Sequence, residues 1–254
     1  MNIYEQSTVL RGVVGSTAHG LSLAGSDDLD EMAICIEPIQ DVICLGQQFE
    51  NFIYRSAADR TGKHDARSEA GDLDLTIFSL RKFCRLAASG NPTVLLMFYT
   101  PQLSICTEVG QQLRDMAPKF ISKEAGKRFL GYMHGQRLRL LGEKGQKRVK
   151  RPELEEMYGF DTKYAMHVLR LGLQGLELLE TGSLTLPMAA GYREYLMKIR
   201  TGHYPLEHII DTAHEYEADL EKLLTSSNLP DHPDRPSIEK WMQLTYLTHW
   251  NKGA

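Results

Sequence analysis

The sequence predicts an α+β fold, in which a small mixed β-sheet with helices over residues 1–100 is followed by an all-helical domain over residues 101–254. Two observations support this division. Short runs of apolar and β-branched residues are concentrated in the first hundred residues, and such runs are typical of buried strands. Beyond residue 101 these patterns fade, and longer segments with helical spacing of their apolar residues replace them.

The first predicted strand covers residues 8–14 and leads into a turn at Gly15 and Ser16. A glycine at such a turn can adopt positive φ or let the backbone approach a ligand closely. The amides of the turn and the Ser16 hydroxyl can then bind an anion such as a triphosphate. We therefore predict a phosphate-binding turn directly after the first strand.

Two carboxylates introduce the second predicted strand. Asp28 and Asp30 are two residues apart at the start of the apolar run 32–36, so their side chains project from the same face. Like charges this close repel each other, and a divalent cation is the ordinary means of keeping both ionised. Hard oxygen ligands favour Mg²⁺ or Mn²⁺. Because both faces of the run are apolar, we expect a central strand that is covered on both sides.

A third carboxylate could come from a later strand. Residues 71–78 alternate polar and apolar side chains like a half-buried strand, which places Asp72, Asp74 and Thr76 on one face. A two-metal site for phosphoryl transfer usually needs a third acid from elsewhere in the chain. On spacing alone, either aspartate could supply it. The polar residues 55–71 before this strand predict a loop beside the site.

Other interpretations of the first acidic segment fit less well. An EF-hand loop needs a glycine at its sixth position, where this chain has Ala33 when the count begins at Asp28. A phosphatase-type aspartyl nucleophile would follow its strand, whereas here the apolar strand follows the carboxylates. The remaining alternative is a solvated turn, because residues 25–28 have the composition that joins many strand pairs.

Capping residues mark the predicted helices. Ser79 can cap a helix over residues 80–89, and Asp161 or Thr162 can cap the longest helix, which runs to about residue 180. A polar and cationic stripe follows the long helix at spacings i, i+4, i+7 and i+11, formed by Lys163, His167, Arg170 and Gln174. A lone histidine is usually satisfied locally, but in line with lysine and arginine it indicates an anion-binding surface.

Residues 142–152 form a strongly basic segment, with five cations against one acid. The cations are Lys144, Lys147, Arg148, Lys150 and Arg151. A polyphosphate or an RNA backbone would suit this segment, since neutralising phosphates releases counterions. The alternative is a solubilising loop. No aromatic residue interrupts the cations, so the segment does not indicate base stacking.

The composition argues against several classes of protein. The formal net charge of −4 provides no overall field that would attract nucleic acid. The four cysteines contain no Cys-x-x-Cys pair, which argues against disulfides and zinc and for a reducing compartment. No apolar stretch approaches transmembrane length, and the first residues lack a signal-peptide pattern. We therefore expect a cytoplasmic protein with no membrane partner.

The motifs together resemble a known family. They are Gly15-Ser16, Asp28-Leu29-Asp30 before an apolar strand, Asp74 leading into Leu80-Arg81-Lys82-Phe83, then residues 90–92 and 159–167. This pattern resembles the DNA polymerase β-type nucleotidyltransferase superfamily. Within it, the chain is most similar to the predicted nucleotidyltransferases related to RNA-ligase-associated (RNA repair) proteins of bacteria and phages, over most of its length. One departure is Val14, where many members of the superfamily carry a further glycine.

The resemblance implies a catalytic domain like the polymerase β palm over residues 1–100. Asp28, Asp30 and Asp74 would be its catalytic residues and its ligands for Mg²⁺ or Mn²⁺; in the family's pattern the third acid matches Asp74 rather than Asp72. The implied reaction transfers a nucleoside monophosphate from an NTP such as ATP to an acceptor hydroxyl, with an RNA end favoured, and releases pyrophosphate.

The resemblance also assigns substrate-binding roles. Gly15 and Ser16 would hold the phosphates that leave, while Lys163 and His167 would bind substrate phosphate or orient the acceptor. Two alternatives stay open at this level. One is a nucleotide or RNA sensor that has lost turnover, and the other is an enzyme that nucleotidylylates a protein or a small molecule.

Overall fold

The computed structural model describes residues 3–23, 28–63, 66, 68–143 and 151–252. Among these residues the chain forms a five-stranded sheet and fourteen helices. The strands are β1 (Thr8–Val13), β2 (Leu29–Cys35), β3 (Asn51–Arg55), β4 (Leu73–Ser79) and β5 (Leu103–Cys106). The helices are α1 (Ile3–Gln6), α2 (Gly15–His19), α3 (Ile39–Val42), α4 (Ser56–Thr61), α5 (Leu80–Ala88), α6 (Pro92–Tyr99), α7 (Glu108–Asp115), α8 (Ala117–Phe120), α9 (Lys123–Leu140), α10 (Pro152–Tyr158), α11 (Thr162–Thr181), α12 (Ala190–Arg200), α13 (Leu206–Ser226) and α14 (Arg235–Lys252). The predicted α+β class with a small mixed sheet is confirmed.

The chain divides into two compact units. The sheet unit comprises Met1–Ala88, Thr93–Phe120 and Asp234–Ala254, and the helical unit comprises Ser89–Pro92 and Ile121–Pro233. All five strands belong to the sheet unit. The domain boundary that the sequence predicts at residue 101 stays a prediction.

The central strand of the sheet unit is β2. The strands lie in the order β3-β4-β2-β1-β5; β2 and β4 run parallel, and the other neighbours are antiparallel. Successive side chains of β2 alternate between the two faces, with Met32 and Ile34 on one and Ala33 and Cys35 on the other. None of the four is more than 3% exposed. This confirms the prediction of a central strand that is covered on both sides.

Apolar side chains and helix α5 hold β2 and β4 in position. One apolar cluster contains Ala33 and Ile77, against which Tyr4 and Phe49 pack with their rings stacked at 3.7 Å. In addition, α5 packs on β2 and β4. Because these strands are packed against the core, a residue at the start of β2 or β4 is held in a defined place.

A buried carboxylate follows β2. Glu37 is fully buried, and its two oxygens accept hydrogen bonds from the Tyr246 hydroxyl (2.8 Å) and the Leu80 amide (3.1 Å). The Trp250 indole donates to the Glu37 carbonyl oxygen at 3.1 Å. These bonds fasten α14 to the end of β2, although the residues are more than 200 positions apart in the sequence. Burial raises the pKa of Glu37 above its usual 4.5.

The raised pKa of Glu37 predicts a dependence of stability on pH. The folded state favours the protonated form of Glu37. The protonated carboxyl group therefore contributes fully to stability below pH 4.5, and this contribution is lost as the pH rises through the folded pKa. In Glu37→Gln the side chain at this position does not titrate. Urea unfolding between pH 4.5 and 8 is expected to show that the free energy of unfolding of the variant rises relative to the native protein as the pH increases. Glu207→Gln, at an exposed position, serves as the control. A difference that is constant with pH for Glu37→Gln would contradict this account.

The core of the helical unit is built around α11. This helix packs against α9, α12 and α13. Gly175 permits the close approach, since a Cβ there would lie 2.9 Å from both Phe129 and Leu220. As predicted, Asp161 caps the helix: its Oδ1 accepts from the Tyr164 amide at 2.9 Å. No helix in the described parts of the chain is long and apolar enough to cross a membrane.

Candidate active site

The parallel pairing of β2 and β4 brings three aspartates together. Asp30 on β2 lies directly beside Asp74 on β4, and Asp28 precedes Asp30 by two residues. One carboxylate oxygen from each of Asp28, Asp30 and Asp74 can be chosen so that all three lie within 4.8 Å of one another. All three residues are partly exposed. The structure therefore gathers the predicted acids at one open position on the sheet.

The chemistry of this cluster fits a divalent cation. Three carboxylates at such distances repel one another, and the repulsion disfavours the folded state unless positive charge is supplied. Carboxylate oxygens are the hard ligands that Mg²⁺ and Mn²⁺ prefer, and the partial exposure leaves room for water or phosphate ligands. The cluster could hold such an ion.

Neighbouring side chains orient Asp74. The Ser68 hydroxyl donates to Asp74 Oδ1 at 2.9 Å, and Arg55 Nε lies 3.8 Å from Asp74 Oδ2. The hydrogen bond from Ser68 limits how this carboxylate can rotate, and the positive charge of Arg55 attracts it. Neither partner could be identified from the sequence, because both lie in the polar stretch over residues 55–71, which predicted only a loop.

Asp72 has a different environment from Asp74. It accepts hydrogen bonds at 2.8 Å from the Ser56 hydroxyl, from Arg60 Nη2 and from the Glu69 amide. The Arg60 guanidinium, together with the other two donors, lowers the pKa of Asp72 to about 2. Asp72 thus ties the preceding segment to β4, while Asp74 belongs to the acidic cluster. The prediction of a loop over residues 55–71 was wrong in one respect, because helix α4 lies within this range and begins at Ser56.

The turn after β1 lies against Asp30. Gly15 has φ +64°, and a Cβ at this position would be only 2.0 Å from Asp30 Oδ2. The Val14 amide donates to the Asp30 carbonyl oxygen at 2.9 Å, which holds the turn beside the start of β2. Both the backbone conformation and the close approach require glycine. Ser16 is the next residue, so the predicted phosphate-binding turn adjoins the acidic cluster.

The stripe predicted on the long helix lies in the helical unit. Arg170 Nη2 is 2.5 Å from His167 Nδ1, and Arg170 Nη1 donates to Gln174 Oε1 at 2.8 Å. Lys163 is partly exposed one turn before His167. Burial, followed by the charges of Arg170 and Arg151, lowers the pKa of His167 to about 3. His167 is therefore neutral near pH 7.

Most of the predicted basic segment lies outside the described residues. This applies to Lys144, Lys147, Arg148 and Lys150. Arg151 is described, and its Nη1 lies 3.0 Å from Asp161 Oδ2, so it forms an ion pair with the cap of α11. A role of the segment in RNA binding stays a prediction.

One family of known proteins matches nearly the whole chain. The model of the RNA repair pathway DNA polymerase beta family matches residues 2–244. Among curated proteins, the uncharacterized 38.9 kDa protein in the nrdC-mobD intergenic region of Enterobacteria phage T4 is 28% identical over 133 residues. That match includes 51% of this chain but only 37% of the phage protein, so the chain spans little more than a third of that relative.

A solved structure was also matched. It is a nucleotidyltransferase-like protein from Exiguobacterium sibiricum 255-15, with 14% sequence identity and a TM-score of 0.31. The match covers 88% of this chain and 72% of that protein.

Proposed function

The chain belongs to the RNA repair pathway DNA polymerase beta family, and on this premise we propose that it transfers a nucleoside monophosphate from an NTP to an acceptor hydroxyl. Membership of this family supports a nucleotidyltransferase function. We further propose that an RNA end is the favoured acceptor, that pyrophosphate is released, and that transfer depends on Mg²⁺ or Mn²⁺.

One observation carries the proposal: the carboxylates of Asp28, Asp30 and Asp74 lie within 4.8 Å of one another. These residues would hold the divalent ion. When bound, such an ion neutralises charge on the triphosphate and stabilises the charge that develops during transfer. The carboxylates themselves fix the position where the α-phosphate and the acceptor must meet.

The remaining roles follow from the neighbours of the cluster. In the transfer step, the acceptor oxygen forms a bond to the α-phosphorus while the bond to the bridging oxygen of the leaving group breaks, and pyrophosphate leaves with the electron pair. The acceptor's proton would pass to the carboxylate of Asp74, which Ser68 orients. The amides at Gly15 and the hydroxyl of Ser16 would bind the phosphates that leave.

An RNA end is favoured as the acceptor for two reasons. The family is described by its place in RNA repair, and the basic segment from Lys144 to Arg151 would suit a phosphate backbone. The net charge of −4 fits a protein or small-molecule acceptor equally well, so the acceptor is part of the test.

The test follows two labels in one reaction. The protein is incubated with Mg²⁺ or Mn²⁺, with RNA that ends in a 3′ hydroxyl, and with an NTP labelled at the α- or the γ-phosphate. We expect the α label on the RNA and the γ label in pyrophosphate, with no transfer to RNA that ends in a 3′ phosphate. Label on the protein itself or on a small molecule would overturn the RNA acceptor. NTP binding without turnover would favour the sensor.

A further inference from the structure

A cavity with aromatic walls lies beside α12 and α13 in the helical unit. Its volume is about 620 Å³, within the range of roughly 300–1,000 Å³ that is typical of ligand pockets. Both helices pack against α11 but make few contacts with each other, which leaves space at their surface. The residues that line the cavity are Ala189, Gly191, Tyr192, Tyr195 and Tyr216.

Packing and hydrogen bonding hold two of the three tyrosine rings in place. The ring of Tyr216 lies against α11 at Gly172, where an added Cβ would be 2.7 Å from Tyr216 Cδ2. The Tyr195 hydroxyl and His208 Nε2 are hydrogen-bonded at 3.0 Å. Tyr192 is 49% exposed and borders the cavity from α12. The cavity therefore presents preformed aromatic surface, which limits the entropy that is lost when a ligand binds.

Glu215 places a negative charge near this aromatic surface. It is exposed on α13. Burial raises the pKa of Tyr216 to about 12, and after burial the hydroxyls of Tyr195 and Tyr192 and the carboxylate of Glu215 act in the same direction. The same carboxylate contributes to the raised pKa of Tyr195, again after burial. Glu215 thus lies near both rings, and both hydroxyls are neutral near pH 7.

The cations of the two helices do not neutralise Glu215. In the described parts of the chain, Glu215 forms no ion pair. Two lysines of these helices already have partners, in the ion pairs Lys198–Glu194 and Lys222–Asp219, each at 2.8 Å. Arg193 follows Tyr192, but its Nε is buried, and it lies on a different side of α12 from Tyr192 and Tyr195, which are three residues apart. Glu215 therefore leaves a negative charge beside the rings.

These features favour a cation with an apolar surface. The face of an aromatic ring carries partial negative charge and attracts cations. A primary ammonium group would need acceptors for its three N–H bonds, whereas a quaternary ammonium group carries the charge without any donor. A nucleobase could stack on the same rings, but in a nucleic acid it would bring phosphates close to Glu215, which repels them.

We propose that this cavity binds a quaternary ammonium group, with the rings of Tyr192, Tyr195 and Tyr216 around the cation and Glu215 as its counter-charge. Two sources present such a group, a free small molecule and a trimethylated lysine side chain of a partner protein. The ligand is neither the NTP nor the acceptor, so this site does not depend on the proposed function.

The first experiment separates attraction of the cation from simple burial of apolar surface. Binding of choline to the full-length native chain is measured by NMR titration. It is compared with binding of the neutral dimethylbutanol in which carbon replaces the nitrogen of choline. We expect the neutral alcohol to bind about tenfold more weakly or not at all. Equal binding of the two compounds would overturn the cation site.

Two substitutions at Tyr192 test the aromatic wall. Tyr192→Phe keeps the ring and should bind choline within about twofold of the native chain, whereas Tyr192→Leu keeps an apolar side chain without the ring and should lose about fivefold. Thermal unfolding shows whether both variants keep the fold. If the folded Tyr192→Leu variant binds choline like the native chain, the aromatic cage is wrong.

A matched pair on α13 tests the counter-charge. Glu215→Gln should weaken choline binding about fivefold and should leave binding of the neutral alcohol unchanged. Glu221→Gln removes the same charge from an exposed position on another side of this helix and should have no effect. Equal losses in the two variants would contradict a specific role of Glu215.

Further ligands identify the source of the group. A peptide with trimethyllysine that binds more tightly than choline, and more tightly than the same peptide with unmodified lysine, would support the site and assign it to a partner protein. Binding of choline without binding of the peptide would support it as a site for a free small molecule. Adenosine that binds more tightly than choline would show that the rings stack on a nucleobase, and it would overturn the proposal.

Discussion

Asp74→Asn is expected to slow nucleotide transfer about a thousandfold. Asparagine keeps the shape of the side chain but removes one of three carboxylates that lie within 4.8 Å of one another. A bound divalent ion contributes several kcal/mol of charge stabilisation during transfer, and a loss of about 4 kcal/mol corresponds to about three orders of magnitude in rate. The rate of transfer of the α label from NTP to RNA measures the effect.

Asp72→Asn provides the matched control. Asp72 immediately precedes β4, and its oxygens accept from Ser56, Arg60 and the Glu69 amide. We expect this variant to unfold more easily yet to retain transfer within a few-fold at a temperature where it is folded. Equal losses in Asp74→Asn and Asp72→Asn would contradict the assignment of Asp74 to the acidic cluster.

Gly15→Ala is expected to reduce transfer about a hundredfold. The new Cβ would lie 2.0 Å from Asp30 Oδ2, so either the turn or the carboxylate must move. A displacement of about 1 Å at a reacting centre can lower the rate about a hundredfold. The variant is compared with the native protein by the same α-label assay and by thermal unfolding.

Gly62→Ala separates the displacement from the backbone effect. Gly62 has φ +70°, close to the φ of +64° at Gly15, but no atom of the residues that the structure describes lies within 4 Å of its added Cβ. The left-handed backbone should cost both variants a similar amount of stability, about 1–2 kcal/mol for a residue that is not glycine. The displacement at Asp30 should destabilise Gly15→Ala further. Only Gly15→Ala should lose most of its activity. A similar loss of transfer in Gly62→Ala would show that backbone strain, and not contact with Asp30, is responsible.

The parts of the site that follow from short-range pattern could be predicted from the sequence. The spacing of Asp28 and Asp30 and the alternation around Asp74 fix which face each side chain occupies, because strands have a period of two residues. The apolar residues on both faces of β2 likewise indicated a central strand. In each case, the information lies within about ten residues of the chain.

Other features depend on contacts with residues that lie outside the local sequence pattern. Asp72 and Asp74 share a face, so spacing alone left both open, and only the resemblance favoured Asp74. What distinguishes them is that Arg60 and Ser56 contact Asp72, a consequence of how the preceding segment folds back. The hydrogen bond between Glu37 and Tyr246 joins residues 209 positions apart, and no periodic pattern in the sequence predicts it.

The central claim is that the three aspartates hold the divalent ion on which nucleotide transfer depends. Anomalous diffraction from crystals grown with Mn²⁺ and an NTP analogue that cannot be cleaved tests it most directly. We expect a Mn²⁺ peak bounded by the carboxylates of Asp28, Asp30 and Asp74, and no such peak in crystals of Asp74→Asn. A bound analogue whose Mn²⁺ is coordinated by other residues, with none at these three carboxylates, would contradict it.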